Sequence, residues 1–226
     1  MNNEPRRTSE GDAAGEGNPS QGSIIAVRLM TEADISSAMS VYRSHLPDGA
    51  IVEDHGGFNR KDWLGLLSGK VCCGGMGTSK SFVAVEGDSA VVGFVVINVT
   101  LALDGKHLKP AEINDICVRA SVQRKGVGTM LLRAAFAAAW DAGLREVKLT
   151  YNVKNPGGAK LYEKVGFVQS KFFLKLYSAG SNIHGMGNGV EMVRAITKLD
   201  SPAGGRVEDR AEMGRLSYRR KSARLG

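Results

Sequence analysis

The chain has 226 residues, of which 42% are hydrophobic, 23% charged and 6% aromatic, a composition that suits a soluble globular protein with a sizeable core. A collagen, a coiled coil and a disulfide-stapled miniprotein are excluded, and three cysteines, two of them adjacent (Cys72 and Cys73), complete neither a disulfide framework nor a zinc site. Thirty Lys and Arg against 23 Asp and Glu give a net charge of +7, divided as −2 over residues 1–22, +6 over 23–199 and +3 over 200–226, so the middle of the chain suits an anionic partner.

Residues 1–22 lack apolar periodicity and are expected to form a disordered tail. They also lack the apolar segment of a signal peptide, and no apolar stretch reaches the roughly 18 residues that span a bilayer, so a cytoplasmic protein without membrane contact is expected. Residues 24–29 read as a strand. Thr31 and Asp34 read as the cap and first-turn acid of a helix reaching about His45, with a shorter helix at 59–67. Strands are expected at 81–86 and 90–100, joined by the turn Gly87-Asp88-Ser89, and again at 111–118 after a polar loop. Val127, Met130, Leu131, Ala134 and Ala138 share one face of a helix over 127–142, which Gly143 ends. A strand at 146–151, a helix at 158–165 and strands at 167–177 and 190–198 follow. The order β, α, α, β, β, β, α, β, α, β, β implies an α/β (α+β) fold, a mixed sheet flanked by helices in one domain over 23–199. Residues 200–226 read as a basic, disordered tail carrying Arg215, Arg219, Arg220, Lys221 and Arg224.

The most informative segment lies between the strand at 111–118 and the helix at 127. It reads Gln123-Arg124-Lys125-Gly126-Val127-Gly128-Thr129. Glycines there let backbone amides approach a ligand, and a helix start adds unpaired N–H donors and a positive dipole end, which together suit a pyrophosphate. A lone G-x-G is more often an ordinary turn, and neither the P-loop nor the Rossmann spacing is present. A second block follows one strand downstream, Asn155-Pro-Gly-Gly-Ala-Lys-Leu-Tyr162-Glu-Lys-Val-Gly166-Phe167.

Together the two blocks resemble the GNAT superfamily of acetyl-CoA-dependent N-acetyltransferases. Its Q/R-x-x-G-x-G/A motif matches Gln123, Gly126 and Gly128. Its N-x-x-[AG]-x-x-L-Y-x-x-x-G-F motif matches Asn155, Leu161, Tyr162, Gly166 and Phe167. The resemblance covers roughly residues 24–198. It implies a central mixed, mostly antiparallel sheet, splayed at the acetyl-CoA site. The pyrophosphate would lie on the backbone of Arg124, Lys125, Gly126, Val127, Gly128 and Thr129, beside Gln123. The pantetheine arm would lie along the strand edge at Ile116, Cys117 and Val118, with Asn155 bonding the arm or capping its helix.

The same resemblance implies direct attack by an amine, without a metal, with Tyr162 as the acid that protonates the leaving thiolate. Glu112 and Asp115 are the candidate bases, Glu112 ranked slightly first. Strict alternation puts these two on opposite faces of their strand, and a bulge would bring them together. Cys117 reads as buried packing rather than a nucleophile, and the four histidines show no metal spacing. The acceptor is left open between a small molecule and a protein amine, as is a homodimer. The alternatives are a non-catalytic acyl-CoA-binding protein and a nucleic-acid-associated protein using the C-terminal tail.

Overall fold

The computed structural model describes residues 24–45, 60–68, 78–87, 89–99, 110–177 and 187–201. Residues 1–22 and 202–226, the loop at 46–59, most of the loop at 178–189, the Cys72-Cys73 pair and the Gly-rich stretch 74–77 lie outside the described residues. Seven strands are present among the described residues: β1 (Ile25–Leu29), β2 (Thr78–Glu86), β3 (Ala90–Val99), β4 (Ala111–Val118), β5 (Glu146–Asn152), β6 (Val168–Tyr177) and β7 (Gly187–Ala195). Four helices join them: α1 (Ile35–Arg43), α2 (Arg60–Leu67), α3 (Val127–Asp141) and α4 (Pro156–Lys164). The strands form one sheet in the order β1-β2-β3-β4-β5-β7-β6, antiparallel except where β4 runs parallel to β5. This is the mixed, mostly antiparallel sheet flanked by helices that the sequence implies.

The sheet separates two apolar clusters. On one face, Leu131, Leu132, Ala135, Phe136 and Ala139 of α3 pack on Val95, Ile97, Ile113, Val147 and Leu149. On the other, Ile35, Ala38 and Val41 of α1 and Trp63 and Leu66 of α2 pack on Val83, Phe94 and Val96, with Trp63 edge-on to Phe94 at 5.0 Å. Each fully buried side chain of this size contributes about 1.5–3 kcal/mol, so β3, buried on both faces, is the spine of the domain. The entry to α1 is a single 3-10 turn held by Asp34, which accepts both N–H groups of the Arg28 fork at 2.6 and 2.8 Å and the Thr31 N–H at 2.8 Å. Those charged donors hold the Asp34 carboxyl near 2, below the ordinary carboxylate range.

Several boundaries differ from those read in the sequence, among them the start of β2, at Thr78 rather than residue 81. Helix α4 starts two residues early, at Pro156, because the Asn155 side chain accepts from Gly158 N–H at 2.8 Å and proline fits the first turn. Strand β7 starts at Gly187 and ends at Ala195 rather than spanning 190–198. Beyond it the chain turns on Asp200, whose carboxylate takes Arg194 Nη2 at 2.9 Å and the Thr197 N–H at 2.9 Å.

Candidate active site

Two irregularities of β4 build the site. Pairing between β4 and β5 covers only Ala111 with Val147, Glu112 with Lys148 and Ile113 with Leu149, while β4 runs on to Val118 and β5 to Asn152. Beyond Ile113 the two strands have parted, so the β5-side edge of Asp115, Ile116, Cys117 and Val118 is open to another partner. At the same point the register with β3 skips a residue: Ile97 faces Ile113 and Val96 faces Asp115, leaving Asn114 as a bulge. The bulge restores Glu112 and Asp115 to one face, the face of α1 and α2, since their partners Asn98 and Val96 share a face.

The two carboxylates have different surroundings. Glu112 is 41% exposed and pairs with Lys148 Nζ at 3.2 Å. Asp115 takes no hydrogen bond among the described residues, and burial pushes its carboxyl up to about 7. Around it stand Tyr42 of α1, Tyr162 of α4, Tyr177 at the end of β6, and Cys117. Burial, then the Asp115 charge, pushes the Tyr177 phenol up to about 12 and raises the Cys117 thiol, which is therefore a poor nucleophile at neutral pH. The Tyr162 phenol, 7% exposed between Tyr151 and Phe167, is likewise raised by burial, so it holds its proton. Tyr162 belongs to the α3 side of the sheet and Asp115 to the α1 side. The gap between β4 and β5 brings their fields together.

At the top of the gap the chain turns into α3 with Arg124 and Gly126 both left-handed, at φ 64° and 87°. No side chain caps the α3 N-terminus, which leaves its first N–H groups facing outward. A Cβ at Gly128 would lie 2.8 Å from Leu161 Cδ2, so the glycine lets α3 and α4 approach. Gly158, where the motif more often has alanine, makes room in the same way for the Asn155 amide. The open β4 edge, the uncapped turn and a buried Asn114 Oδ1 without a partner are features that an amide-bearing, phosphate-tipped ligand such as acetyl-CoA would satisfy.

A model of the acetyltransferase (GNAT) family matches residues 48–167. The chain belongs to the GNAT family.

Among curated GNAT relatives, N-alpha-acetyltransferase 30 of Xenopus laevis is 32% identical over 99 residues, 44% of this chain and 35% of that protein. An N-alpha-acetyltransferase of Sulfurisphaera tokodaii is 30% identical over 110 residues, 46% of this chain and 66% of it. The chain thus spans about a third of the frog protein's length. Among solved structures, yncA of Salmonella typhimurium, determined with its cofactor acetyl-CoA, aligns at a TM-score of 0.60 and 18% identity over 78% of this chain and 96% of that one. An N-acetyltransferase of Staphylococcus aureus aligns at 0.58 and 16% over 77% and 100%. These two share the GNAT fold.

Some site residues were not singled out in the sequence. His45, read there as a helix end, reaches the cofactor-side turn: its Nε2 lies 3.0 Å from the Val118 carbonyl oxygen and its Nδ1 2.9 Å from that of Val41. Gln123 of the GNAT motif turns the same way, its Nε2 donating to the Val118 carbonyl at 2.9 Å. Arg124 has a left-handed backbone that only the structure reveals. Tyr42 and Tyr177 come from elements far from either motif.

Proposed function

We propose that the protein transfers the acetyl group of acetyl-CoA to the free amine of a polypeptide N-terminus, with Asp115 as general base and Tyr162 as general acid. Acetyl-CoA supplies an activated thioester. The backbone of Arg124 to Thr129 binds its pyrophosphate, and the open edge of β4 at Ile116, Cys117 and Val118 pairs with its pantetheine amides. Asp115 takes a proton from the acceptor ammonium, and Tyr162 gives its phenolic proton to the departing sulfur.

The observation that carries this reading is the desolvated Asp115 carboxyl at about 7, facing the gap. A base works best when its pKa lies near the operating pH, and an α-amino group, at about 8, gives up its proton there more readily than a lysine side chain, at about 10.4. The names of the curated relatives support the same acceptor class. Glu112, ranked first from the sequence, is the weaker candidate because its carboxylate faces outward and is engaged by Lys148.

Release of free CoA thiol in the presence of peptides with free N-termini tests the assignment. Asp115→Asn is expected to lower kcat/KM by about 10²–10⁴ and to abolish its rise with pH through about 7, while Glu112→Gln keeps that rise. The opposite ranking would return the base role to Glu112. A Tm raised by acetyl-CoA without thiol release from any amine would leave an acyl-CoA-binding protein.

A further inference from the structure

Beyond Ile113 the half of β4 that bears Asp115 has β3 along one edge and the gap along the other, and the last turn of α1 lies over it. Val41 and Tyr42 of that turn are buried in one cluster with Cys117 and with Val96, the residue directly opposite Asp115. A helix end is where such a cover is weakest, because the final carbonyl groups lack intrahelical donors. Here they are met locally: Ser44 Oγ donates to the Val41 carbonyl at 2.7 Å and the His45 N–H to that of Tyr42 at 3.0 Å.

The His45 ring then crosses from the helix to β4, where Nε2 lies 3.0 Å from the Val118 carbonyl oxygen, 73 residues on. That oxygen has no proton to give, so the bond is a donation from Nε2–H. Nδ1 faces back to the helix, 2.9 Å from the Val41 carbonyl oxygen and 3.3 Å from Ser44 Oγ. The Arg119 N–H donates to the Val92 carbonyl at 2.8 Å, so the carbonyl of neighbouring Val118 points away from β3, to the gap side. It receives Gln123 Nε2 as well as His45, and both of its lone pairs are spent. His45 thus ties the last turn of α1 to the strand that carries Asp115.

What lies under that turn depends on staying dry. Tyr42 from α1, Tyr162 from α4, Tyr177 from β6 and Cys117 from its own strand face Asp115, and all four are uncharged at neutral pH. From α2 the same cluster receives Trp63 and Leu66, which are apolar. Glu112, the next acid along the face, is engaged by Lys148. Burial therefore sets the strength of this carboxyl, and water is what would return it to the ordinary range.

We infer that His45 is a positioning residue: by tying the last turn of α1 to Val118 it holds Tyr42 over Asp115 and keeps water from the carboxyl that accepts the amine's proton. The inference rests on the reading of Asp115 as the base and adds to it the side chain that maintains its surroundings.

The test compares His45→Phe, which keeps a ring and loses the N–H, with His45→Gln, whose amide carries an N–H over the same number of bonds from Cα and does not titrate. Each is combined with Asp115→Asn, and Tm is followed from about pH 4 to about pH 9, which reads the carboxyl without reference to activity. With His45 in place, the gain given by Asp115→Asn grows up to about pH 7. In His45→Phe that growth is expected to end about one pH unit lower, and the break in kcat/KM for thiol release to move down with it. His45→Gln is expected to keep both breaks near pH 7, and a cooperative melt of each variant shows that it folds. A break that stays near pH 7 in His45→Phe, or that falls equally in His45→Gln, would overturn the inference and leave Asp115 as the base. A gain from Asp115→Asn that is independent of pH with His45 present would instead remove the desolvated base, and the inference with it.

Discussion

Asp115 is a carboxyl without a compensating partner among the described residues, and its raised pKa has a cost that can be measured apart from catalysis. An acid whose pKa is higher folded than unfolded binds more protons in the native state, so stability is full below about pH 4, falls as pH rises to about 7 and is level above it. Asp115→Asn is therefore expected to raise Tm, with a gain that grows over that window and reaches on the order of 4 kcal/mol at pH 8. A Tm difference independent of pH would mean that the carboxyl is solvated. The opposition between stability and rate at one residue is what a base poised near neutrality requires. Which of the two carboxylates lies desolvated beside the gap was not legible in the sequence, because it depends on Asn114. Nothing in the string Glu-Ile-Asn-Asp marks Asn114 as the bulge; the pairing with β3 decides it.

Among elements, the junction of the turn at 124–126 with α3 and α4 shows how much a motif reveals. The two glycines were legible as a pair, and the strand before them and the helix after them were placed within a residue or so, because apolar periodicity over 127–141 is unambiguous. Their separate purposes were not. Gly126 supplies a left-handed backbone, whereas Gly128 supplies contact with Leu161, thirty-three residues away and invisible to local pattern. Gly128→Ala is expected to turn the Leu161 side chain aside without moving α4, at a cost of less than about 1 kcal/mol, because the atom it meets is the free end of that side chain. Gly126→Ala is a useful contrast: no atom lies within 4 Å of its added methyl, so any loss comes from backbone conformation alone, about 1 kcal/mol. Thermal scans check both.

For the whole molecule, one largely buried cation, with 15% of its side chain exposed, ties the chain's last described turn to the rest. Arg194 donates through Nε to the Val165 carbonyl at 2.6 Å and through Nη2 to Asp200 at 2.9 Å, and its guanidinium lies 4.2 Å from the centre of the Phe136 ring. It thus joins β7, the end of α4, α3 and the turn at 198–200. Arg194→Met would strand the Asp200 carboxylate and the Val165 carbonyl, and a loss of about 3–5 kcal/mol is expected in denaturant titration. The sequence offered no sign of it, since an arginine late in a strand reads as surface. The sheet order was not legible in the sequence, because β6 and β7 exchange places relative to chain order.

The parted seam has a last consequence, for turnover. Only three residue pairs join β4 to β5, so an arm lying in the gap completes ladder bonds that the protein itself lacks. Those bonds are the same whether or not the arm still bears its acetyl group. On the proposed placement of the arm, such a grip would be uniform: it would anchor donor and spent carrier alike and could not by itself accelerate transfer. Discrimination between them must come from the groups that meet the acyl end, so the strength of the ladder bonds sets how long the spent carrier lingers, not how fast the chemistry runs.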